Sequence, residues 1–212
     1  MSLNLKSIKL TWSKSIANKN FRSLLILGLV LFLVILVIFP LFFNFIETRK
    51  GIQLNDVVLN IFPAINLSLP IFIIIWSTAV LLIIEAIKSP KLLFGFLWGF
   101  ILLSVSRIAT ISLVPLEAPK NLIPLIDPLS NTFYGGKFLT KDLFYSGHTA
   151  TQLLIYFHFE KKWQKTCALV ASFLIGIMVL IQHVHYTIDV VFAFVFVPII
   201  YFINKKYILS KI

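Results

Sequence analysis

Long uninterrupted apolar runs constrain this chain more than any other feature, because about 30 Å of bilayer hydrocarbon is crossed by roughly 20 apolar residues in a helix. Five runs meet that length, at 23–46, 67–87, 92–114, 166–184 and 186–203. Their residues are apolar on every side instead of at the spacing of an amphipathic soluble helix. With 59% hydrophobic and 13% charged residues, a soluble domain is excluded and an all-α membrane protein is implied.

A sixth run, 143–159, is diluted by Ser146, His148, Thr149, Thr151, Gln152 and His158. Charge decides whether it crosses, since Lys and Arg accumulate on the cytoplasmic side of membrane proteins. With six spans, thirteen basic residues fall on one side, in the N-terminal segment, at Lys88 and Lys91, at Lys161, Lys162 and Lys165, and at Lys205, Lys206 and Lys211. Five fall on the other: Arg49, Lys50, Lys120, Lys137 and Lys141. Without the sixth crossing, Lys161, Lys162, Lys165 and the basic C-terminal segment would move outside. The expected fold is six transmembrane helices with both termini cytoplasmic: a basic segment 1–22, a six-helix domain 23–203 and a tail 204–212.

Residues 1–22 lack a signal peptide's short apolar core and small-residue cleavage site, so the first span is expected to stay attached. The segment fits either an interfacial amphipathic helix, with Leu3, Leu5, Ile8, Leu10 and Trp12 as apolar contacts, or a basic tail. The net charge of +11 sits at the ends of apolar runs and forms no basic stripe interleaved with aromatics, which argues against nucleic acid as a partner. Cys167 is the only cysteine; it allows no intramolecular disulfide or thiolate metal site and reads as an apolar packing residue. The stretch 115–142 carries four prolines with Asn131, Gly135 and Gly136, the composition of an external loop.

Ionisable groups within spans cost on the order of 2.5 to 3.5 kcal/mol each at the centre, so they are functional suspects. Here they are Glu85, Arg107, His148, His158, His183, His185 and Asp189. Glu85 and His158 lie near cytoplasmic helix ends, where snorkelling gives them a structural role. The other five share one depth. The third span runs outward and places Arg107 roughly 10 Å inside its outer end. The fourth starts there with Ser146-Gly147-His148-Thr149, the fifth ends there with His183, and the sixth begins there with His185 and Asp189.

Four residues apart, His185 and Asp189 are expected to stack on one helical face. The carboxylate would accept from one imidazole nitrogen and leave the other as nucleophile or base. His183 lies six residues from Asp189 and would face elsewhere. Ser146-Gly147-His148 opens a helix whose free N–H groups and dipole suit an anion, with glycine allowing close approach. Arg107 offers a planar donor fork to phosphate. Together with the helix N-terminus, it can neutralise phosphate charge without a metal or cofactor, and no carboxylate cluster offers a two-metal alternative.

At Ser146-Gly147-His148-Thr149 and His185-Tyr186-Thr187-Ile188-Asp189-Val190 the chain resembles the sphingomyelin synthase branch of the type 2 phosphatidic acid phosphatase superfamily. Arg107 to Thr110 with Pro115 resembles that branch's arginine motif, and Asp142, four residues before Ser146, its aspartate. Tyr145 stands where ordinary lipid phosphatases carry proline, and Met178-Val179 where they carry Ser-Arg, which favours the synthase branch. Thr140-Lys141 replaces the usual Cys-Gly. The resemblance implies that His185 attacks phosphorus, Asp189 orients it and His148 protonates the leaving oxygen. Arg107, Asp142, Ser146, Gly147, Thr149 and Tyr186 would then bind substrate. It implies phospholipid or sphingolipid substrates at the outer leaflet, with a lipid alcohol or water as acceptor. Hydrolysis, as in a lipid phosphate phosphatase, differs from transfer only in that acceptor. A proton-coupled transporter relay fits less well, because transport uses groups at the midplane and on both sides. A catalytically inert scaffold is the remaining alternative.

Overall fold

A computed structural model describes residues 5–125 and 139–212. Leu3, Pro128, Asn131, Gly135, Gly136 and Lys137 lie outside the described residues. The described chain is helical: α1 (Leu5–Ala17), α2 (Lys19–Thr48), α3 (Ser68–Lys88), α4 (Pro90–Leu113), α5 (Gly147–His158), α6 (Lys162–Ile181) and α7 (Thr187–Tyr207), with a short 3-10 turn at Leu209–Lys211. Among the described residues, five helices are long and apolar enough to cross a membrane: α2, α3, α4, α6 and α7. The chain is a multi-pass membrane protein.

Of the two readings of the N-terminal segment, the structure has the helix. Asn18 breaks it from α2 by accepting from the backbone N–H groups of Asn20 and Phe21, the ordinary N-cap arrangement. None of the α1 residues is buried, and Trp12 ties the helix to the bundle by donating from Nε1 to the Ile87 carbonyl at 2.7 Å.

The twelve residues of α5 explain why its stretch is so weakly apolar. At about 18 Å the helix is shorter than the hydrocarbon, and eight of its residues are buried by α3, α4, α6 and α7. Its neighbours are protein, not lipid, so polar groups are tolerated where they find partners. Gln152 accepts from the Thr78 hydroxyl at 2.8 Å, and His158 Nδ1 meets the Leu154 carbonyl at 2.9 Å. Ala150 and Ala193 are fully enclosed in the cluster joining α4, α5 and α7, small side chains that let helices approach closely. By contrast only 11% of the most apolar window of α2 is covered by protein, against 56% for α4, so α2 is a peripheral helix and α4 a central one.

The ends of α5 also lie at opposite ends of the bundle. Just before it, Thr140 and Lys141 donate their backbone N–H groups to Glu47 near the C-terminus of α2. Just after it, Lys161 pairs with Glu85 near the C-terminus of α3. Arg49 bonds the Ile111 and Ser112 carbonyls at the C-terminus of α4, whereas α3 ends one residue before α4 begins. Residues 140 to 161 therefore traverse the full length of α4.

The run expected at 166–184 stops at Ile181, and the one expected at 186–203 starts at Thr187. The cause is a Schellman ending. His183 sits in the left-handed region (φ 55); its N–H bonds the Leu180 carbonyl, and that of Val184 bonds the Val179 carbonyl, each at 2.9 Å. The resulting 182–186 turn belongs to neither helix.

Candidate active site

Asp189 organises this end of the bundle. It is the third residue of α7 and fully buried. Its Oδ2 accepts from the Tyr186 N–H at 3.0 Å and meets His185 Nδ1 at 3.2 Å, while Oδ1 accepts from the Phe144 N–H at 3.1 Å. The sequence reading needs correcting here: His185 precedes α7, so the pair does not stack on one helical face. It meets because Asp189 reaches back to cap its own helix and the 182–186 turn folds the imidazole against the same carboxylate. With Nδ1–H given to Asp189, the basic nitrogen of the neutral His185 ring is Nε2.

The Ser-Gly-His segment is pinned to the same residue. Besides the Phe144 contact, the Ser146 N–H donates to the Asp189 backbone carbonyl at 3.0 Å. Ser146 caps α5 by accepting from the Thr149 N–H, so the N-termini of α5 and α7 converge. His148, in the first turn of α5, lies with its ring centroid 6.1 Å from that of His185, edge to face.

Arg107 completes the group from α4. It is buried, donates from Nε to the Tyr145 carbonyl at 3.2 Å and forms an ion pair with Asp142. Its guanidinium fills the space beside Gly147: a Cβ there would sit 2.5 Å from Nη1 and 2.6 Å from Cζ. Glycine is required because the arginine occupies the space of a side chain.

Three residues expected to bind substrate have contacts within the protein. The Thr149 side chain turns towards Gly176 of α6. Tyr186 is buried, and its hydroxyl accepts from the Leu54 N–H and donates to the Glu117 carbonyl, which directs it to the loops at this end of the bundle. The Asp142 carboxylate holds Arg107. His183, weighed against His185, donates from Nδ1 to the Lys120 carbonyl at 3.0 Å and takes no part in the histidine pair.

Residues 141–206 match the family model described as PAP2 superfamily C-terminal. No curated protein and no solved structure matches the chain. The matched stretch holds Asp142, the Ser-Gly-His-Thr run, His185 and Asp189, so the part that resembles the PAP2 superfamily is the part that builds this cluster, with lipid phosphatase or phosphotransferase chemistry implied. Arg107 lies outside the match and joins the site through the fold.

Sequence reading missed the loops that support the cluster. Asp56 accepts from the Thr187 N–H at 2.6 Å and from its hydroxyl at 2.9 Å, fixing the start of α7. Gln182, fully buried, bonds Leu67, Ser68, Ile123 and Pro124. Both are ordinary polar residues beside turns, and no spacing in the sequence marks them. Among the described residues no cluster of metal-ligating side chains forms.

Proposed function

We propose that the chain is a lipid phosphotransferase of the sphingomyelin synthase type, moving a phosphate-linked headgroup between lipids through a phosphohistidine. The observation that carries this reading is the carboxylate of Asp189 fixing His185 Nδ1 while a second histidine, His148, stands across from it at a helix N-terminus. His185 Nε2 attacks phosphorus, the bond from phosphorus to the donor lipid's oxygen breaks, and His148 gives that oxygen its proton. Asp189 balances the positive charge that develops on the imidazole. In the second step His148 takes the proton of an acceptor hydroxyl, which attacks phosphorus and breaks the bond to nitrogen. Arg107 and the first N–H groups of α5 offset the charge on the phosphoryl oxygens. The site is taken to face the outer leaflet, with α5 as a sixth crossing and both termini cytoplasmic, because the basic residues then gather on the opposite side.

The test is purified protein incubated with labelled phosphatidylcholine, with and without ceramide or diacylglycerol. Label passing to the acceptor supports transfer; release of a free phosphorylated headgroup without acceptor dependence identifies the hydrolase instead. His185→Ala should abolish turnover and any acid-labile phosphoprotein. His148→Ala should cost about 10²- to 10⁴-fold on lipid and recover partly on a nitrophenyl phosphodiester, whose leaving group needs no acid. Label trapped on His148, or rescue of His185→Ala by the better leaving group, would reverse the roles.

A further inference from the structure

At the 182–186 turn, the loops 54–63 and 120–121 line a half-open cavity of about 400 Å³. Neither Arg107, His148 nor His185 lines it. Its walls include Asn55, Asn60 and Lys120, with Phe62 against the ring of His183 at a centroid distance of 6.0 Å. Tyr186 also lines it.

His183 is the unusual member. It is 4% exposed and holds a left-handed conformation (φ 55), at a helix-ending position where glycine or asparagine is the ordinary choice. Its Nδ1 faces the Lys120 carbonyl at 3.0 Å, an acceptor only, so Nδ1 carries the proton and Nε2 is the acceptor of the neutral ring. That Nε2 is buried and has no hydrogen-bond partner among the described residues. An imidazole kept where glycine would end the helix better, with an unmet acceptor, marks a ligand-directed group.

The surroundings specify what it takes. Asn60 donates its amide to the Asn55 side-chain oxygen at 3.0 Å, leaving the Asn55 NH₂ and the Asn60 carbonyl to a ligand. The Asp56 carboxylate is committed to the N–H groups of Val58, Leu59 and Thr187 and to the Thr187 hydroxyl, and its charge offsets that of Lys120. No net charge favours an anion, and the polar lining combines donors with acceptors. We propose that this cavity binds a hydroxyl-rich headgroup, with His183 Nε2 accepting from one of its hydroxyls. This site is additional to the phosphohistidine chemistry and does not rest on it.

Native mass spectrometry of the detergent-solubilised full chain, titrated with single lipids, tests this without turnover. Phosphatidylinositol and phosphatidylglycerol should bind about tenfold more tightly than phosphatidylserine, which is also anionic but lacks headgroup hydroxyls. His183→Gly suits the left-handed position and should match the wild type in thermal stability, yet lose that preference while phosphatidylserine binding stays unchanged. Competition by free myo-inositol supports a site open to soluble polyols, and its absence supports one for lipid-borne headgroups. Equal affinity for all three lipids, or a preference that survives His183→Gly, overturns the proposal. Because the readout is binding, an inactive but selective protein would sink the catalytic reading alone.

Discussion

Asp189 receives N–H donors from Phe144, His185 and Tyr186 on its two oxygens, so its replacement does more than remove a charge. Asparagine offers one acceptor oxygen and sets an NH₂ against a backbone N–H. Asp189→Asn should therefore lose stability by about 1 to 3 kcal/mol as well as most of the rate, measured by thermal unfolding in detergent beside turnover. Asp142 has the opposite logic. Its carboxylate occupies Arg107 in the structure, and the same guanidinium is the natural partner of a phosphoryl group. Asp142→Asn weakens that competition, so inhibition by orthovanadate should tighten several-fold; unchanged inhibition would show that the pair stays intact when the site is filled. Gly147→Ala drives a methyl into the Arg107 guanidinium, which Tyr145 and Asp142 hold from other sides, and should reduce turnover at least as much as loss of His148. At this scale much was legible: residue types and the four-residue spacing selected His185 and Asp189. The spacing named two side chains that do meet, but through the wrong geometry, because nothing local reveals that the chain is still in a turn at residue 185.

Helix by helix, legibility followed the solvent. α2, wrapped mostly by lipid, announces itself by apolarity, whereas α5, wrapped by protein, does not, and only the lysines beyond its end mark it in the sequence. The short α5 depends on its termini. Ser146→Ala removes the cap from the Thr149 N–H and should cost about 1 kcal/mol, with a larger loss of activity because the Ser146 turn also carries His148. The approach to α5 is held by Lys141, which pairs with Glu117 at 3.0 Å, and the hydrogen bond from Lys141 keeps the Glu117 carboxyl below its ordinary value. A depressed carboxyl stabilises the fold fully above its unfolded value, near 4.5, and loses that contribution as pH falls through the lower folded value. Acid unfolding of Lys141→Gln should accordingly be less steep below pH ~4.5 than that of the parent. The end of α6 at His183 had no sequence signal, since histidine replaces the glycine that usually marks such a stop.

For the molecule as a whole, orientation is the quantity most open to a direct test. In a Cys167→Ser background, a cysteine at Gln53, exposed on the loop after α2, should react with an impermeant thiol reagent from outside intact cells, and one at Lys162, exposed at the start of α6, should not. Gln164 is a poor reporter because it is 1% exposed, and Asn131 lies outside the described residues. Labelling at Lys162 alone would turn the site towards the cytoplasm. The convergence on Asp189 carries a further consequence for biosynthesis. The segment before α5 leaves the ribosome some forty residues ahead of Asp189, which holds the Phe144 N–H on its carboxylate and the Ser146 N–H on its backbone carbonyl. Until α7 follows, the segment that carries His148 lacks its anchor on Asp189. A chain stalled before residue 187 should thus be anchored in the membrane yet inert, so the last helix to arrive arms the site and incomplete products cannot act on the bilayer that holds them.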